Sequence, residues 1–149
     1  MTLTPKETSL LKDLRAQEEL CVEKYTKYAT DACDGQLKNL FNQICQNERT
    51  HLQTIDQISA GTVPQINAAE SAAAPAFQAS CCSPQEKQQD NYLCGDALST
   101  EKHVSAEYNT CIFEFSDTNI RSVLNHIQKE EQEHGEWIYQ YMAANGMYA

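Results

Sequence analysis

Two polar residues interrupt an apolar stripe in the last quarter of the chain, and this interruption limits the possible folds more than any other feature. The stripe consists of apolar residues at helical spacing: Ile120, Leu124, Ile127, Ile138 and Tyr141. Glu131 and His134 occupy the missing positions on the same face, since residues three apart lie one helical turn from each other. A buried, unpaired carboxylate is costly, and a neighbouring cation removes most of that cost. The pattern therefore predicts a cation within the helix packing, unless the phase of the helix is wrong.

Similar stripes elsewhere predict an all-α chain of four helices. The predicted helices are residues 4–32, 35–59, 95–115 and 118–144. Thr4 begins a capping-box sequence, Asp34 and Asp117 are suitable N-caps, and Gly61 and Gly146 favour helix ends. An Ala-, Gln-, Ser- and Pro-rich linker, residues 60–94, is long enough to run the full length of a bundle. We predict one domain, residues 1–149, folded as a ferritin-like four-helix bundle.

An internal repeat supports this architecture. A shift of 83 positions without gaps superimposes the first helix pair on the second. The matched pairs include Glu18 with Glu101, Tyr25 with Tyr108, Asp34 with Asp117, Glu48 with Glu131 and His51 with His134. Two copies of a helical hairpin joined by a crossover predict a bundle with approximate two-fold symmetry.

Six polar residues interrupt the four stripes and form a candidate metal site. They are Glu18, Glu48, His51, Glu101, Glu131 and His134. One Glu from each of two helices and a Glu-x-x-His motif from each of the other two is the ligand set of bundle di-iron and di-manganese proteins. Four carboxylates balance two divalent ions, with Fe favoured and Mn next. Glu48 and Glu131 are the predicted bridging ligands.

Other interpretations of these residues remain open. The charged groups could face solvent or a partner on helices whose phase is misassigned. Tyr25 and Tyr108 are candidates for hydrogen-bond donors that orient a ligand carboxylate, but ordinary core tyrosines would fit the same positions. His103 and His126 lie off the stripes and are predicted to be solvated, and Lys38 and Arg121 are predicted to be surface cations.

Composition excludes several classes of function. The net charge of −10 and a pI near 4.7 argue against nucleic-acid binding. The first residues lack the apolar region of a signal peptide, and no apolar run is long enough to cross a membrane. We therefore expect synthesis in the cytoplasm and no membrane association.

The seven cysteines are unusual for a cytosolic protein. Because they form no Cys-x-x-Cys pair, a thiolate zinc site is not expected. Cys21 and Cys111 fit the apolar stripes as small buried residues. The adjacent Cys81 and Cys82 lie in the linker, where they are candidates for intermolecular disulfides in an oxidising setting.

The ligand layout resembles the ferritin-like superfamily, including rubrerythrin and bacterioferritin. The segments Glu101-Lys102-His103, Tyr108-Asn109-Thr110, Glu130-Glu131-Gln132-Glu133-His134-Gly135 and Asn145-Gly146-Met147-Tyr148 look more like the spore coat protein F family of endospore-forming bacteria. That resemblance implies a structural or protective protein of the spore coat that associates with other coat proteins and with itself, as a dimer or larger homo-oligomer. The chain lacks the rubredoxin-like cysteines of rubrerythrin and the fifth helix of ferritins.

Three functions are compatible with these observations. The chain could be a coat scaffold whose cysteines form cross-links. It could be a di-metal oxidoreductase acting on O2, peroxide or Fe2+, as a ferroxidase or a peroxide scavenger. It could also bind metal without turnover, with two divalent ions joining the helices.

Overall fold

Four long helices make up most of the part of the protein that the structure describes, as predicted. The computed structural model describes residues 1–66, 73 and 75–148, and these residues contain no β-strand. The helices are α1 (Pro5–Asp31), α2 (Gly35–Ser59), α3 (Pro84–Ile112) and α4 (Thr118–Ala144). Residues 67–72 and 74, in the middle of the predicted linker, lie outside the described residues.

Local sequence signals account for most helix ends. The hydroxyl of Thr4 accepts a hydrogen bond from the backbone N–H of Glu7, whose carboxylate accepts one from the N–H of Thr4, completing the predicted capping box. Asp34 and Asp117 are the N-caps of α2 and α4. Gly146 follows α4 with a φ of 65°, a left-handed conformation that glycine adopts without steric cost.

The third helix begins eleven residues earlier than predicted, at Pro84 rather than near residue 95. Its start is a second capping box, in which Ser83 accepts from the N–H of Glu86 and the Glu86 carboxylate accepts from the N–H of Ser83. The polar sequence after it obscured the helix, because only Asp90, Leu93 and Cys94 face the core there. The predicted linker, 60–94, therefore ends at residue 83, and α3 ends three residues before residue 115.

The helices pack as two hairpins, α1 with α2 and α3 with α4, and the hairpins meet through α1–α3 and α2–α4 contacts. At one end of the bundle, the carboxylate of Glu7 accepts a hydrogen bond from the backbone N–H of Ser116, in the α3–α4 turn. At the other end, Asp90 accepts from the N–H groups of Cys33 and Asp34, in the α1–α2 turn. The connection from α2 to α3 therefore joins opposite ends of the bundle.

Two predicted surface cations have a structural role instead. The ammonium of Lys38 donates to the carbonyls of Ala29 and Thr30 at the end of α1. Arg121, its counterpart in the repeat, donates to the carbonyls of Phe115 and Ser116 just after α3. Lys38 satisfies carbonyls in the last turn of α1, and Arg121 satisfies carbonyls in the turn between α3 and α4, so each positive charge lies near the negative end of a helix dipole. The repeat therefore extends from the sequence to the contacts.

Candidate metal centre

Each helix places its predicted polar residues in the interior of the bundle. The side chains of the six candidate ligands are almost completely buried, with exposed fractions between 0% and 2%. α1 and α3 contribute Glu18 and Glu101, α2 contributes Glu48 and His51, and α4 contributes Glu131 and His134. Apolar stripe residues above and below the site, such as Leu14, Ile55 and Ile138, are also buried and fix the phase of the helices. The alternative in which the charges face solvent is therefore wrong.

The two imidazoles use the same nitrogen toward the carboxylates. Nδ1 of His51 lies 3.2 Å from Glu48 and 3.0 Å from Glu131, and 3.7 Å from Glu18. Nδ1 of His134 lies 3.2 Å from Glu48, 3.6 Å from Glu131 and 3.5 Å from Glu101. Glu48 and Glu131 therefore contact both imidazoles, whereas Glu18 and Glu101 each contact one.

These contacts divide the residues into two overlapping groups of possible metal ligands. Glu18, Glu48, His51 and Glu131 form one group, and Glu48, Glu101, Glu131 and His134 form the other. Within each group, one ligand atom per residue lies within 4.8 Å of all the others. Because Glu48 and Glu131 belong to both groups, two ions could occupy neighbouring positions and share these carboxylates.

The buried atoms are incompletely satisfied by the protein itself. One oxygen of each carboxylate and one nitrogen of each imidazole make no hydrogen bond: Glu18 Oε2, Glu48 Oε1, Glu101 Oε2, Glu131 Oε2, His51 Nε2 and His134 Nδ1. Buried polar atoms normally have partners, because leaving them unpaired costs about 1–3 kcal/mol each. An oxygen and nitrogen donor set with no thiolate matches the preferences of Fe and Mn. The residues present therefore fit a pair of divalent ions.

Burial and mutual repulsion control the protonation of the carboxylates. Burial, followed by the charge of Glu48, raises the pKa of Glu18 to about 8. Burial, followed by the charges of Glu101 and Glu48, raises the pKa of Glu131 well above its usual value. Burial also acts to raise the pKa of Glu48, but hydrogen bonds with His134 and His51 outweigh it and hold that pKa well below the usual value. The cluster therefore holds protons where cations are absent.

Both histidines respond to the surrounding negative charge. Burial alone would lower the pKa of His51, yet the contacts with Glu130 and Glu131 raise it well above the usual value. The pKa of His134 is raised in the same way, chiefly by Glu101 against the effect of burial. Protonated imidazoles would thus supply the positive charge that the carboxylates require, and a metal ion would have to displace those protons.

The two tyrosines connect the hairpins at the site. The hydroxyl of Tyr25 on α1 donates to Glu101 Oε1 on α3, and the hydroxyl of Tyr108 on α3 donates to Glu18 Oε1 on α1, both at 2.5 Å. Each tyrosine therefore orients the carboxylate that belongs to the other repeat. This arrangement is consistent with the predicted orienting role rather than with simple core packing.

A second pair of repeat-matched residues contacts the outer nitrogen of each imidazole. Asn47 Nδ2 forms a hydrogen bond with His134 Nε2 at 3.0 Å, and Glu130 Oε1 lies 3.5 Å from His51 Nε2. Glu130 also pairs with the half-exposed His126 at 2.8 Å. His126 is therefore less solvated than the sequence analysis predicted. Sequence analysis missed Asn47 and Glu130, although they directly precede the candidate ligands Glu48 and Glu131 and match each other in the repeat. Their difference in charge makes the two halves of the site unequal.

Comparison with known protein families gives a match, which covers most of the second hairpin. Residues 89–149 match the family model of the Coat F domain. This part of the chain is therefore similar to the Coat F family, in agreement with the resemblance predicted from the sequence, and the match supports a spore coat protein. The matched range includes Glu101, Glu131 and His134, whereas the first hairpin, with the other three candidate ligands, lies outside it. No curated protein and no solved structure matches the chain.

No helix of the described residues could span a membrane. None of them combines the length and the apolar character that a transmembrane span requires.

Proposed function

We propose that the chain is a spore coat protein whose bundle binds two divalent metal ions, Fe in preference to Mn, through Glu18, Glu48, His51, Glu101, Glu131 and His134. The observation that carries this proposal is the convergence of four buried carboxylates, each with an unpartnered oxygen, on two imidazoles. Two divalent ions would neutralise the four negative charges. The ligand layout is that of ferritin-like proteins, and the Coat F match supports a place in the spore coat.

Bound ions would supply Lewis acidity and, for Fe or Mn, reversible electron transfer. The protein's own contribution is to hold the ligands. Tyr25 and Tyr108 hold the terminal carboxylates, Asn47 orients the imidazole of His134, and Glu130 places a negative charge 3.5 Å from His51 Nε2. In this role the ions join all four helices, so metal binding would also stabilise the fold.

An oxidoreductase is the second candidate function. Each ligand group contains three carboxylates and one imidazole, and two of those carboxylates are shared between the groups. Ions that prefer six ligands would therefore retain positions for an exogenous molecule. O2, peroxide or Fe2+ would be the substrate of such a site.

Metal analysis of isosteric variants tests the metal proposal. We expect about two Fe or Mn ions per chain in protein purified without chelators. Glu131→Gln should lose most of this metal, because the amide replaces a bridging carboxylate without changing its shape. Glu133→Gln, on the same helix but paired with Lys129 outside the site, is the matched control and should keep it. A wild-type protein with only a trace of metal after reconstitution would refute the site.

The coat assignment predicts cross-linking through the linker. Cys81 is exposed and Cys82 is half-buried, and all seven cysteines are free. We propose that Cys81 and Cys82 form disulfides with other coat proteins or with a second copy of the chain. Non-reducing gels of coat extracts should show multimers that the double variant Cys81→Ser/Cys82→Ser diminishes, whereas Cys21→Ser, at a buried site, should leave them unchanged. Identical ladders in wild type and double variant would contradict the proposal.

A further inference from the structure

A cleft between α3 and α4 reaches two of the candidate ligands. It has a volume of about 700 Å³, within the range of small-molecule sites, and Glu101 and Glu131 form part of its wall. Its other walls are mainly small or uncharged: Leu98, Ser105, Ala106, Asn109, Gln128 and Gly135. The metal pair would therefore be accessible from this side of the bundle.

The repeat shows which residues open the cleft. Gly135 of α4 corresponds to Leu52 of α2, and Ser105 of α3 corresponds to Val22 of α1. A β-carbon added to Gly135 would lie 3.6 Å from Leu98 Cδ1, so a larger side chain at this position would project into the cleft. The seam of a hairpin is the line along which its two helices pack against each other. At the α1–α2 seam, the bulky Leu52 and Val22 occupy the matching positions. Two small residues thus distinguish one seam from the other.

Each hairpin also has a hydrogen bond from a side chain of its second helix to a backbone carbonyl of its first helix, and the donor side chain is longer at the α3–α4 seam. At the α1–α2 seam the thiol of Cys45 donates to the carbonyl of Val22 at 3.6 Å. At the α3–α4 seam its counterpart Gln128 donates through Nε2 to the carbonyl of Ser105 at 2.9 Å. Because the glutamine side chain is longer, it makes the same link across a wider gap, and α3 and α4 pack less closely than α1 and α2.

We propose that this cleft admits a small uncharged organic molecule to the metal pair, at the edge formed by Glu101 and Glu131. The inference rests on the proposed metal site. With two divalent ions bound, the four carboxylates carry no excess charge, and the amides of Asn109 and Gln128 offer neutral hydrogen bonds. The exposed Lys102 adds a positive charge to the cleft, which disfavours the entry of Fe2+ or an organic cation. The cleft thus fits a neutral substrate better than a ferroxidase substrate.

Two probes of nearly equal shape test the charge preference. Benzamide is neutral, whereas benzamidine is a cation at neutral pH. The protein is loaded with two Co(II) ions, whose visible absorption responds to changes in coordination, and each probe is titrated. We expect benzamide to change the spectrum saturably and benzamidine to bind at least about tenfold more weakly, a difference of about 1.4 kcal/mol.

Matched glycine variants test the location. Gly135→Leu fills the cleft with the residue that α2 carries, and Gly95→Leu makes the same change on α3, where an added β-carbon meets no atom within 4 Å. Leucine favours a helix over glycine, so both variants should fold. Gly135→Leu should keep two Co(II) ions and bind benzamide at least tenfold more weakly, and Gly95→Leu should behave like wild type. Ser105→Val adds less bulk and should give a smaller loss.

The outcomes separate this inference from the proposed function. A wild-type protein that takes up no Co(II) refutes the metal site itself. A wild-type protein that holds two ions but binds benzamide no better than benzamidine, or a Gly135→Leu variant that binds benzamide normally, overturns the cleft proposal and leaves the metal site intact. If Gly135→Leu loses metal, Ser105→Val provides the test of the cleft instead. A Ser105→Val variant that holds two ions and binds benzamide as well as wild type would also overturn the cleft proposal.

Discussion

At the scale of single residues, the centre depends on pairs that cross between repeats. Tyr25 orients Glu101, and Tyr108 orients Glu18. A buried carboxyl group that loses such a donor loses its fixed position, because no neighbour then holds its rotamer. The effect should therefore be on metal affinity more than on folding.

We predict that Tyr25→Phe lowers metal affinity about 10- to 100-fold, the range known for residues that orient a ligand. Tyr141→Phe is the matched control, because Tyr141 makes the same kind of bond to Asp34, at 2.7 Å, away from the site. Both variants should lose about 1–3 kcal/mol of unfolding free energy for the lost hydrogen bond to a buried carboxyl group. Competition with a chelator measures affinity, and urea unfolding of the metal-free protein measures stability. Equal metal affinity in the two variants would assign Tyr25 to packing alone.

Amide orientation matters at the same scale. The side-chain amide of Asn47 lies 3.0 Å from His134 Nε2. Nε2 carries a proton both in the imidazolium of the metal-free site and in an imidazole that binds metal through Nδ1. With its oxygen turned toward Nε2, the amide of Asn47 would accept that proton in both states and hold the ring in one orientation.

At the scale of helices, polar caps set the ends and also connect them. Glu7 completes the capping box of α1, and its second oxygen accepts from the backbone N–H and the hydroxyl of Ser116. These bonds, with the N–H of Thr4 as the largest contribution, lower the pKa of Glu7 below its ordinary 4.5. A carboxylate with a lowered folded pKa stabilises the fold above its unfolded pKa, and this contribution disappears as the pH falls through the folded value.

The corresponding prediction concerns Glu7→Gln, which keeps an acceptor but removes the charge. At pH 7 it should cost about 1–2 kcal/mol of unfolding free energy, and the difference from wild type should shrink as the pH falls below 4.5. Glu86→Gln, at the same position of the α3 capping box, is the control and should cost less, because the known bonds of Glu86 are confined to that box. Urea unfolding at several pH values measures both. A loss that does not depend on pH would show that the charge of Glu7 has no role.

At the scale of the whole molecule, the centre connects the two hairpins, and its protonation should determine how stability depends on pH. Without metal, the folded pKa of Glu18 is about 8 against an ordinary 4.5, and the pKa of Glu131 is also raised. A raised folded pKa gives a contribution that is complete below the unfolded pKa and is lost as the pH rises through the folded pKa. The opposite shift of Glu48 acts only at acidic pH.

We therefore predict that the metal-free protein loses stability between about pH 4.5, the ordinary pKa of Glu18, and about pH 8, its folded pKa, whereas the loaded protein does not, because metal binding improves as protons leave. The difference in Tm between loaded and chelator-treated protein should widen over this interval. Glu18→Gln should flatten the pH dependence of the metal-free protein, since the amide does not titrate. A Tm difference that stays constant with pH would contradict this account.

The sequence alone determined the helix faces and the repeat, and from them the six candidate ligands. Helical periodicity is a local property, so Glu48 and His51 could be assigned to one face without knowledge of any partner. The capping signal at Thr4 was equally local. The matching signal at Ser83 did not by itself predict a helix, because few apolar residues follow it in the first turns of α3.

Only the tertiary structure decided which atoms meet across the bundle. The crossed pairing of Tyr25 with Glu101, the bond of Asn47 to His134 and the end-capping by Lys38 all join residues on different helices. The cleft at Gly135 likewise depends on how closely α3 approaches α4, and its significance emerges only from comparison with the α1–α2 seam. These contacts depend on interhelical distance and rotation, which the pattern along a single helix does not specify.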